Sequence, residues 1–451
     1  MKLAVLGDFL IDEFIYYQSL RLSPESPCPV VNFQKSRKVA GGAANVANSC
    51  FSLGIEVYFL FCSPKNLINK DLLFDYEIFT YTRNDFDLSI KKRHCVDNRQ
   101  FFREDKETPS INFNDCFENI DKCIEYMKNN KITDLLISDY QKGALTPKEL
   151  QYLLLESKKS KIRTFVDTKI SSSENLKNIY LLKPNLKEFN QLTGIRNTSS
   201  NRSLLIDELE LPARKLMREN SIENCIITLS EMGSVWFGEN ETISFKSPKV
   251  SVIDIVGAGD SFISALVFTY LNNETYTKYQ KLKIANNFAE ITIKKEGTNP
   301  ICKSSLDEVL NKVDIAEIGF TNGCFDILHP GHISLLKQAK KRCKFLIVGL
   351  NSDESVKRLK GKKRPINSEL DRKKVLENIK FVDQVIIFNE DDPLNLIKKI
   401  KPDLLVKGAD YDIKNVVGAE FTIKNGGNVF LANLLNTKST TERVQNINNE
   451  D

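Results

Sequence analysis

The segment Asp254-Ile255-Val256-Gly257-Ala258-Gly259-Asp260-Ser261-Phe262 places two glycines and an aspartate at the start of an apolar helix. Such a helix start exposes backbone N–H groups that no side chain shields, and the positive end of the helix dipole adds to their attraction for anions. Asp260 is placed where its carboxylate can take a proton from an attacking hydroxyl group. The segment indicates a phosphoryl-transfer site, although a glycine-rich turn before a helix is also common without one.

Further features of the same kind surround this segment in the first three hundred residues. The stretch Gly41-Gly42-Ala43-Ala44-Asn45 is a second glycine turn that leads into a helix. Asn185 and Glu188 place an amide and a carboxylate on one helical face, and Asp8 and Asp12 follow the first apolar strand. The presence of these further motifs favours a functional role for the segment 254–262 over a merely structural one.

The pattern of apolar segments predicts an α/β protein with two domains. Short apolar strands such as Leu135–Ser138 and Cys225–Leu229 alternate with longer amphipathic stretches, and the rhythm restarts with a new strand at Ile318–Gly323. A length of 451 residues also exceeds one ordinary domain. We expect a first domain over residues 1–304 with a small β lid near Val30–Phe33, a linker over 305–316, and a doubly wound second domain over 317–451.

Composition narrows the class of protein. The net charge is only +5, which does not single out nucleic acid as a partner. Ten cysteines without a C-x-x-C pair and only three histidines speak against a zinc cluster and favour free thiols. The short apolar start reaches Asp8 before a signal peptide or membrane span is complete, so we expect a cytoplasmic protein with no membrane partner.

Two of the three histidines, His329 and His332, lie together in Gly323-Cys324-Phe325-Asp326-Ile327-Leu328-His329-Pro330-Gly331-His332, at the start of a predicted helix. Imidazole donors beside free helix N–H groups suit a pentacovalent α-phosphate that gains negative charge during nucleotidyl transfer. The alternative is a helix start that merely happens to carry two imidazoles.

A basic run, Lys357 to Arg364, has six cations in eight residues. We interpret it as binding the triphosphate and leaving pyrophosphate, with Lys360 and Arg364 as phosphate ligands and Arg372 joining them from the next helix. An exposed loop and a nucleic-acid patch are the alternatives.

With these residues the first part resembles the ribokinase-like carbohydrate kinase family over roughly residues 1 to 300. The resemblance implies that Asp260 is the general base and that the amides of Gly257, Ala258 and Gly259 form the anion hole. It also implies that Asn185 and Glu188 act on magnesium and phosphate, and that the turn with Ser230 and Gly233 lies on the nucleotide side. Many members have threonine where this chain has Val256, so that hydroxyl is missing here.

The last part resembles the H-x-G-H cytidylyltransferase-like family, in which the two histidines bind the reacting phosphates. The resemblance implies nucleotide and phosphate contacts from further positions, which are Thr321, Asn322, Gly323, Phe325, Asp326, Asn351, Asp353, Lys407, Asp410, Ser439, Thr440 and Thr441.

A kinase of the first kind followed by a transferase of the second resembles the bifunctional heptose-7-phosphate kinase and heptose-1-phosphate adenylyltransferase family of bacterial ADP-heptose synthesis. That resemblance implies ATP and heptose phosphates as substrates, Mg²⁺ held through the nucleotide phosphates without a protein-only metal site, and a homodimer formed through the kinase domain. The predicted sugar-binding residues are Asp8, Asp12, Gly41, Gly42, Asn45, Arg103 and Lys142, with Arg103 and Lys142 holding the sugar's phosphate. Asp8 and Asp12 could equally be turn or capping residues.

Two alternatives stay open at this point. The same architecture could act on another sugar phosphate or use CTP or GTP. A protein of another class, a sensor that binds sugar phosphate and nucleotide without catalysis, is disfavoured because Asp260, His329 and His332 are all present.

Overall fold

The computed structural model describes residues 2–64, 70–84, 86–97, 99–107, 113–196, 199–239, 241–247, 250–272, 276–295, 297, 299–312, 316–408, 413–425 and 427–433. The chain forms two compact units. The first comprises Met1–Thr242 and Ser247–Leu310, and the second comprises Ile243–Lys246 and Asn311–Asp451. No helix in the described ranges is long and apolar enough to cross a membrane.

The strands up to the division are β1 (Lys2–Gly7), β2 (Phe9–Leu22), β3 (Pro29–Gly42), β4 (Glu56–Cys62), β5 (Glu77–Tyr81), β6 (Ser89–Val96), β7 (Arg99–Lys106), β8 (Asp134–Asp139), β9 (Arg163–Thr168), β10 (Leu181–Leu182), β11 (Asn224–Thr228), β12 (Ser234–Phe237) and β13 (Thr242–Phe245). The helices are α1 (Ala43–Ser52), α2 (Phe117–Asn129), α3 (Pro147–Lys159), α4 (Leu186–Thr193), α5 (Arg202–Asn220), α6 (Ala258–Asn272), α7 (Lys278–Ile293) and α8 (Lys303–Lys312). Helix α8 occupies part of the predicted linker 305–316, whose limits stay a prediction.

The first unit contains eight strands of a nine-stranded sheet, in the order β12-β11-β10-β9-β8-β1-β4-β5. All neighbours are parallel except β11 and β12. Residues Leu3 to Leu6 of β1 are fully buried, as expected for a central parallel strand covered on both faces. The carboxyl ends of these strands meet at one edge of the sheet, which is where ligands bind in open α/β folds.

A second, four-stranded sheet in the order β3-β2-β6-β7 forms the lid of the first unit. The lid is larger than the short segment around Val30–Phe33 that the sequence indicated, because β2 and β3 each run for 14 residues. The hairpin starts directly after Asp8 and ends directly before α1, so both of its ends lie at the edge of the main sheet.

The second unit contains β14 (Ala316–Gly323), α9 (Pro330–Lys340), β15 (Cys343–Asn351), α10 (Asp353–Lys360), α11 (Glu369–Glu377), β16 (Gln384–Phe388), α12 (Leu394–Ile400), β17 (Leu404–Gly408), α13 (Ala419–Lys424) and β18 (Asn428–Ala432). Its five parallel strands have the order β16-β15-β14-β17-β18. The chain reverses its direction of travel across the sheet between β14 and β17, so the carboxyl end of β14 is the topological switch point. The predicted doubly wound second domain is confirmed.

Candidate active sites

Asp260 lies in the first turn of α6 and is buried. Its two carboxylate oxygens accept hydrogen bonds from the Asn45 amide, at 2.8 Å, and from the Tyr140 hydroxyl. Burial raises the pKa of Asp260, and these two hydrogen bonds oppose the rise. A carboxylate with a raised pKa has a greater affinity for a proton, which a general base requires.

The start of α6 is open to an anion. Gly257 has a φ of +80°, which places it in the left-handed region that favours glycine. A Cβ atom on Gly259 would lie 3.9 Å from the ammonium of Lys183, so this buried cation faces the glycines of the predicted anion hole. Although burial opposes the charge, Asp167 at 3.1 Å and Glu188 raise the pKa of Lys183. Sequence reasoning assigned no role to Lys183.

Asn185 and Glu188 form a capping box at the start of α4. The Asn185 side chain accepts from the Glu188 N–H at 2.9 Å, and the Glu188 carboxylate accepts from the Asn185 N–H at 2.8 Å. Asn185 and Ser230 line one cleft of about 890 Å³, and Gly233, with a φ of +90°, closes the turn that begins at Ser230. The structure therefore brings the four predicted nucleotide-side residues to neighbouring positions.

Most of the predicted sugar-side residues with charged side chains are bonded to other groups of the protein. The Asp8 carboxylate accepts backbone N–H groups of Tyr140, Lys142 and Ala144 at 2.7, 3.0 and 2.8 Å, and so shapes the loop 140–144. These contacts are the ones expected if Asp8 is a turn residue, which was the alternative interpretation of its sequence position. Burial, followed by the charge of Asp8, raises the pKa of the neighbouring Asp139 to about 7.

Asp12 is also engaged, in a buried ion pair with Arg93 at 2.5 Å. A Cβ on Gly41 would come within 2.5 Å of the Asp12 carboxylate, so position 41 has no room for a side chain, and Gly42 has a φ of +59°. The Asn45 carbonyl oxygen is buried and has no hydrogen-bond partner among the described residues. It is an acceptor left for a ligand hydroxyl.

The two cations predicted to hold the sugar's phosphate are each paired with a carboxylate. Arg103 donates to Asp105 at 2.8 Å, and Lys142 donates to Glu107 at 2.5 Å. Two other lysines, Lys91 and Lys169, which sequence reasoning did not single out, lie against the Tyr140 ring.

His329 and His332 lie at the start of α9, with their ring centroids 3.9 Å apart. The Nδ1 atom of His329 accepts from the Gly331 N–H at 3.1 Å, and Nδ1 of His332 accepts from the His329 N–H at 3.4 Å. In the neutral form each ring therefore carries its proton on Nε2, where it acts as a hydrogen-bond donor. Burial, then the charges of His329 and Lys360, lowers the pKa of His332 to about 4.

Several unpartnered polar atoms lie at the carboxyl end of β14 and in the loop near it. Thr321 Oγ1, Asn322 Oδ1 and Arg364 Nη1 are buried without a hydrogen-bond partner among the described residues. Phe325 has a φ of +45°, and its ring lies 3.2 Å from the position of a Cβ on Gly323 and 5.1 Å from the His332 ring centroid. Unpaired buried polar groups are costly, so their concentration here fits a site completed by a polar ligand.

Asp326 and Arg372 hold the loops around this site. Asp326 pairs with Arg364 at 2.9 Å and accepts two backbone N–H groups, those of Ile366 and Asn367. Arg372 is 2% exposed and donates to the carbonyls of Asn367, Cys324 and Asn351 and to Asp353 at 2.7 Å. The guanidinium of Arg372 thus donates to four protein oxygens, and its predicted contact with phosphate stays a prediction.

The cations of the basic run differ in their neighbours. Lys357 pairs with Glu354 and Arg358 with Asp391, whereas Lys360 lies near enough to His332 to lower its pKa. Lys407 donates to the Asn322 carbonyl at 3.5 Å, and the Asn351 amide donates to Ser355 at 3.0 Å. The remaining predicted positions Asp410, Ser439, Thr440 and Thr441 lie outside the described residues.

Comparison with known proteins matches both units. Residues 118–305 match the pfkB family of carbohydrate kinases, and residues 320–426 match the cytidylyltransferase-like family. The bifunctional protein HldE of Campylobacter curvus is 35% identical over 481 residues, covering 100% of this chain and 99% of that protein. The bifunctional protein HldE of Nitrobacter winogradskyi is 34% identical over 481 residues, covering 98% and 95%.

Solved structures resemble the first unit. Phosphofructokinase-2 from Escherichia coli in complex with potassium has a TM-score of 0.55 at 18% identity, covering 69% of this chain and 98% of that one. Arabidopsis thaliana ribokinase complexed with ribose and ATP has a TM-score of 0.51 at 18% identity, covering 68% and 98%. At this identity the likeness concerns the fold, and it confirms the predicted ribokinase-like architecture.

Proposed function

The chain belongs to the family of bifunctional HldE proteins and joins a sugar kinase to a nucleotidyltransferase, and we propose that its substrates are two heptose phosphates of ADP-heptose synthesis. The kinase transfers the γ-phosphoryl group of ATP to O1 of D-glycero-β-D-manno-heptose 7-phosphate and yields the 1,7-bisphosphate and ADP. The transferase joins D-glycero-β-D-manno-heptose 1-phosphate to the AMP part of ATP and releases pyrophosphate. The product is a precursor of the lipopolysaccharide core.

The observation that carries the kinase assignment is the buried Asp260 carboxylate between Asn45 and Tyr140, at the open start of α6. Asp260 accepts the proton of O1 as the oxygen attacks the γ-phosphorus, and its raised pKa favours that transfer. The α6 N–H groups and Lys183 stabilise the negative charge on the phosphoryl group in flight.

Mg²⁺ is part of this proposal, and we expect the metal to be held mainly by nucleotide phosphates. Asn185 and Glu188 satisfy each other's backbone N–H groups, and Glu188 commits only one carboxylate oxygen to this capping box. The other oxygen of Glu188 is the group we expect to face Mg²⁺, which would neutralise the triphosphate charge.

In the transferase, the heptose 1-phosphate oxygen attacks the α-phosphorus of ATP. His329 and His332 donate Nε2–H bonds to the α-phosphate oxygens as their charge grows, and the low pKa of His332 keeps it a neutral donor at physiological pH. Lys360, Arg364 and Lys407 supply positive charge for the departing pyrophosphate. Thr321 and Asn322 contribute the unpartnered atoms that contact the nucleotide.

We test the substrates on the full chain with two separate assays. Heptose 7-phosphate and ATP are expected to give ADP, and heptose 1-phosphate with each nucleoside triphosphate is expected to give pyrophosphate with ATP only. Pyrophosphate release with CTP or GTP but not ATP would overturn the adenylyl assignment. Absence of both reactions would favour the non-catalytic sensor.

The proposal includes a homodimer formed through the lid. Leu22, Phe33 and Phe101 are 72%, 62% and 64% exposed on the lid strands, and a second copy packed against the lid would bury apolar surface of this kind. Light scattering of the full chain is expected to give twice the chain mass, and Phe33→Asp is expected to shift it to the monomer. A cytoplasmic location also stays a prediction.

A further inference from the structure

The lid carries its charges on two distinct faces. Strands β6 and β7 pair antiparallel, with Lys91 opposite Asp105 and Lys92 opposite Glu104. Because successive side chains of a strand alternate between faces, Lys91 and Lys92 point in opposite directions. Lys92 donates to Glu104 at 2.9 Å, whereas the ammonium of Lys91 lies 5.6 Å from the centre of the Tyr140 ring.

A second ammonium approaches the same ring from the main sheet. Lys169 follows the end of β9, and its Nζ lies 4.3 Å from the Tyr140 ring centre. Within the described part of the chain neither Lys91 nor Lys169 forms an ion pair, and each ammonium lies over the Tyr140 ring. Two ammonium groups at one ring repel each other, and this repulsion is relieved by an anion bound between them.

The carboxylates near Lys91 do not cancel this charge. Burial first, and the charge of Lys169 second, lowers the pKa of Lys91, while Asp12 and Glu107 oppose the fall. Asp12 is already paired with Arg93, and Glu107 with Lys142. Burial raises the pKa of Asp167, Lys183 and Lys169 oppose that rise, and Asp167 is paired with Lys183 at 3.1 Å. Each nearby carboxylate thus has another cation as its partner, which leaves Lys91 and Lys169 to attract a further anion such as a phosphate group.

The position of the two ammonium groups relative to Asp260 indicates which anion they bind. The Tyr140 hydroxyl donates to Asp260, so the two ammonium groups lie on the ring while the base lies beyond the hydroxyl. We expect a sugar whose hydroxyl meets Asp260 to direct its far end toward that ring. The γ-phosphate of ATP belongs instead at the start of α6, near Lys183.

Resting on the proposed kinase function, we propose that Lys91 and Lys169 form the subsite for the phosphate already present on the sugar substrate. The two lysines then decide that the kinase accepts a sugar phosphate rather than a free sugar. Arg103 and Lys142, the cations that the sequence suggested, are held by Asp105 and Glu107 and take a lesser part.

The experiment compares Lys91→Met and Lys169→Met with the matched control Lys92→Met, the next residue on the same strand with its side chain on the other face. Each subsite variant is expected to raise the KM for heptose 7-phosphate about 10- to 100-fold, with the KM for ATP unchanged. Inorganic phosphate is expected to inhibit the wild type competitively with the sugar phosphate, and to lose this effect in both variants. Lys91→Arg is expected to restore most of the affinity.

Wild-type kinetics in Lys91→Met and Lys169→Met would overturn the subsite while leaving the kinase function intact. A rise in the KM for ATP equal to that for the sugar would also overturn it, because the lysines would then act on the whole site. Failure of the wild type to phosphorylate heptose 7-phosphate would instead overturn the proposed function.

Discussion

The two units place their reactive side chains alike but arrange their protons differently. Asp260 and His332 both lie in the first turn of a helix at the carboxyl edge of a parallel sheet. Burial raises the pKa of the Asp260 carboxyl and lowers the pKa of the His332 imidazole, so it favours the neutral form in each case. In the proposed reactions, the kinase therefore has a carboxylate with a raised proton affinity, and the transferase has a neutral imidazole that carries its proton on Nε2.

The largest effect on activity is expected when the proton acceptor of the kinase is removed. Asp260→Asn keeps the shape and one oxygen acceptor but cannot take a proton, so we expect kinase turnover to fall about 10²- to 10⁴-fold. Pyrophosphate release by the transferase is expected to stay unchanged. Equal loss of both activities would mean that Asp260 supports the fold rather than the reaction.

Removing a donor from the other unit is expected to have a somewhat smaller effect. His332→Ala removes one Nε2–H bond to the growing charge, and we expect adenylyl transfer to fall about 10²- to 10³-fold with kinase turnover preserved. His94→Ala, which removes the third histidine of the chain, is the matched control. Full transferase activity in His332→Ala would contradict the assigned role.

A third substitution tests whether Arg372 stabilises the loops of the transferase site or binds phosphate directly. Arg372→Met leaves several buried carbonyls and Asp353 without their donor, so we expect the second unit to lose about 3–5 kcal/mol of stability. Lys373→Met, at the exposed neighbouring position, is the control. Hydrogen exchange of the second unit measures the loss, while fluorescence of the single tryptophan, Trp236, reports on the first unit. If Arg372 is mainly a phosphate ligand, its loss will weaken ATP binding without faster exchange.

The smallest effect concerns pH. Burial and the charge of Asp8 raise the pKa of Asp139 to about 7, so the folded state retains a proton that the unfolded state has lost. This contribution to stability is present at low pH and is lost as the pH rises through the folded pKa. Thermal unfolding followed by Trp236 fluorescence is expected to move to lower temperature as the pH rises from about 6 to 8.

Asp139→Asn is expected to flatten that pH dependence, and an unchanged dependence would contradict the assignment. His332 is expected to behave differently from Asp139. Because its pKa is about 4, its protonation should not change the rate of adenylyl transfer near neutral pH.

Sequence predicted best those features whose residues lie close together in the chain. The motifs around Asp260 and His332 lie at helix starts as expected, and the predicted strand Leu135–Ser138 lies within β8. Local periodicity and helix-start chemistry are sufficient for such features. The homodimer and the roles of the individual site residues stay predictions.

Contacts between distant segments were beyond the sequence. The sequence pattern does not show that Asp8 accepts hydrogen bonds from the loop 140–144, or that Lys91 and Lys169 lie over the same ring. These contacts depend on which strands become neighbours in the fold. The lid was underestimated because β3 carries Lys35 to Lys38, whose exposed polar side chains hide the usual alternation. Arg372 was judged by its charge alone, and only the fold shows the carbonyls that it satisfies.

The lid hairpin joins the rest of the first unit at two points. One point adjoins Asp8, which accepts backbone N–H groups of the loop that bears Tyr140, and the other adjoins α1, which carries Asn45. Tyr140 and Asn45 are the two side chains that donate to Asp260. Because both attachment points adjoin these donors, we expect a change in hairpin stiffness to alter kinase turnover before it alters the affinity for ATP.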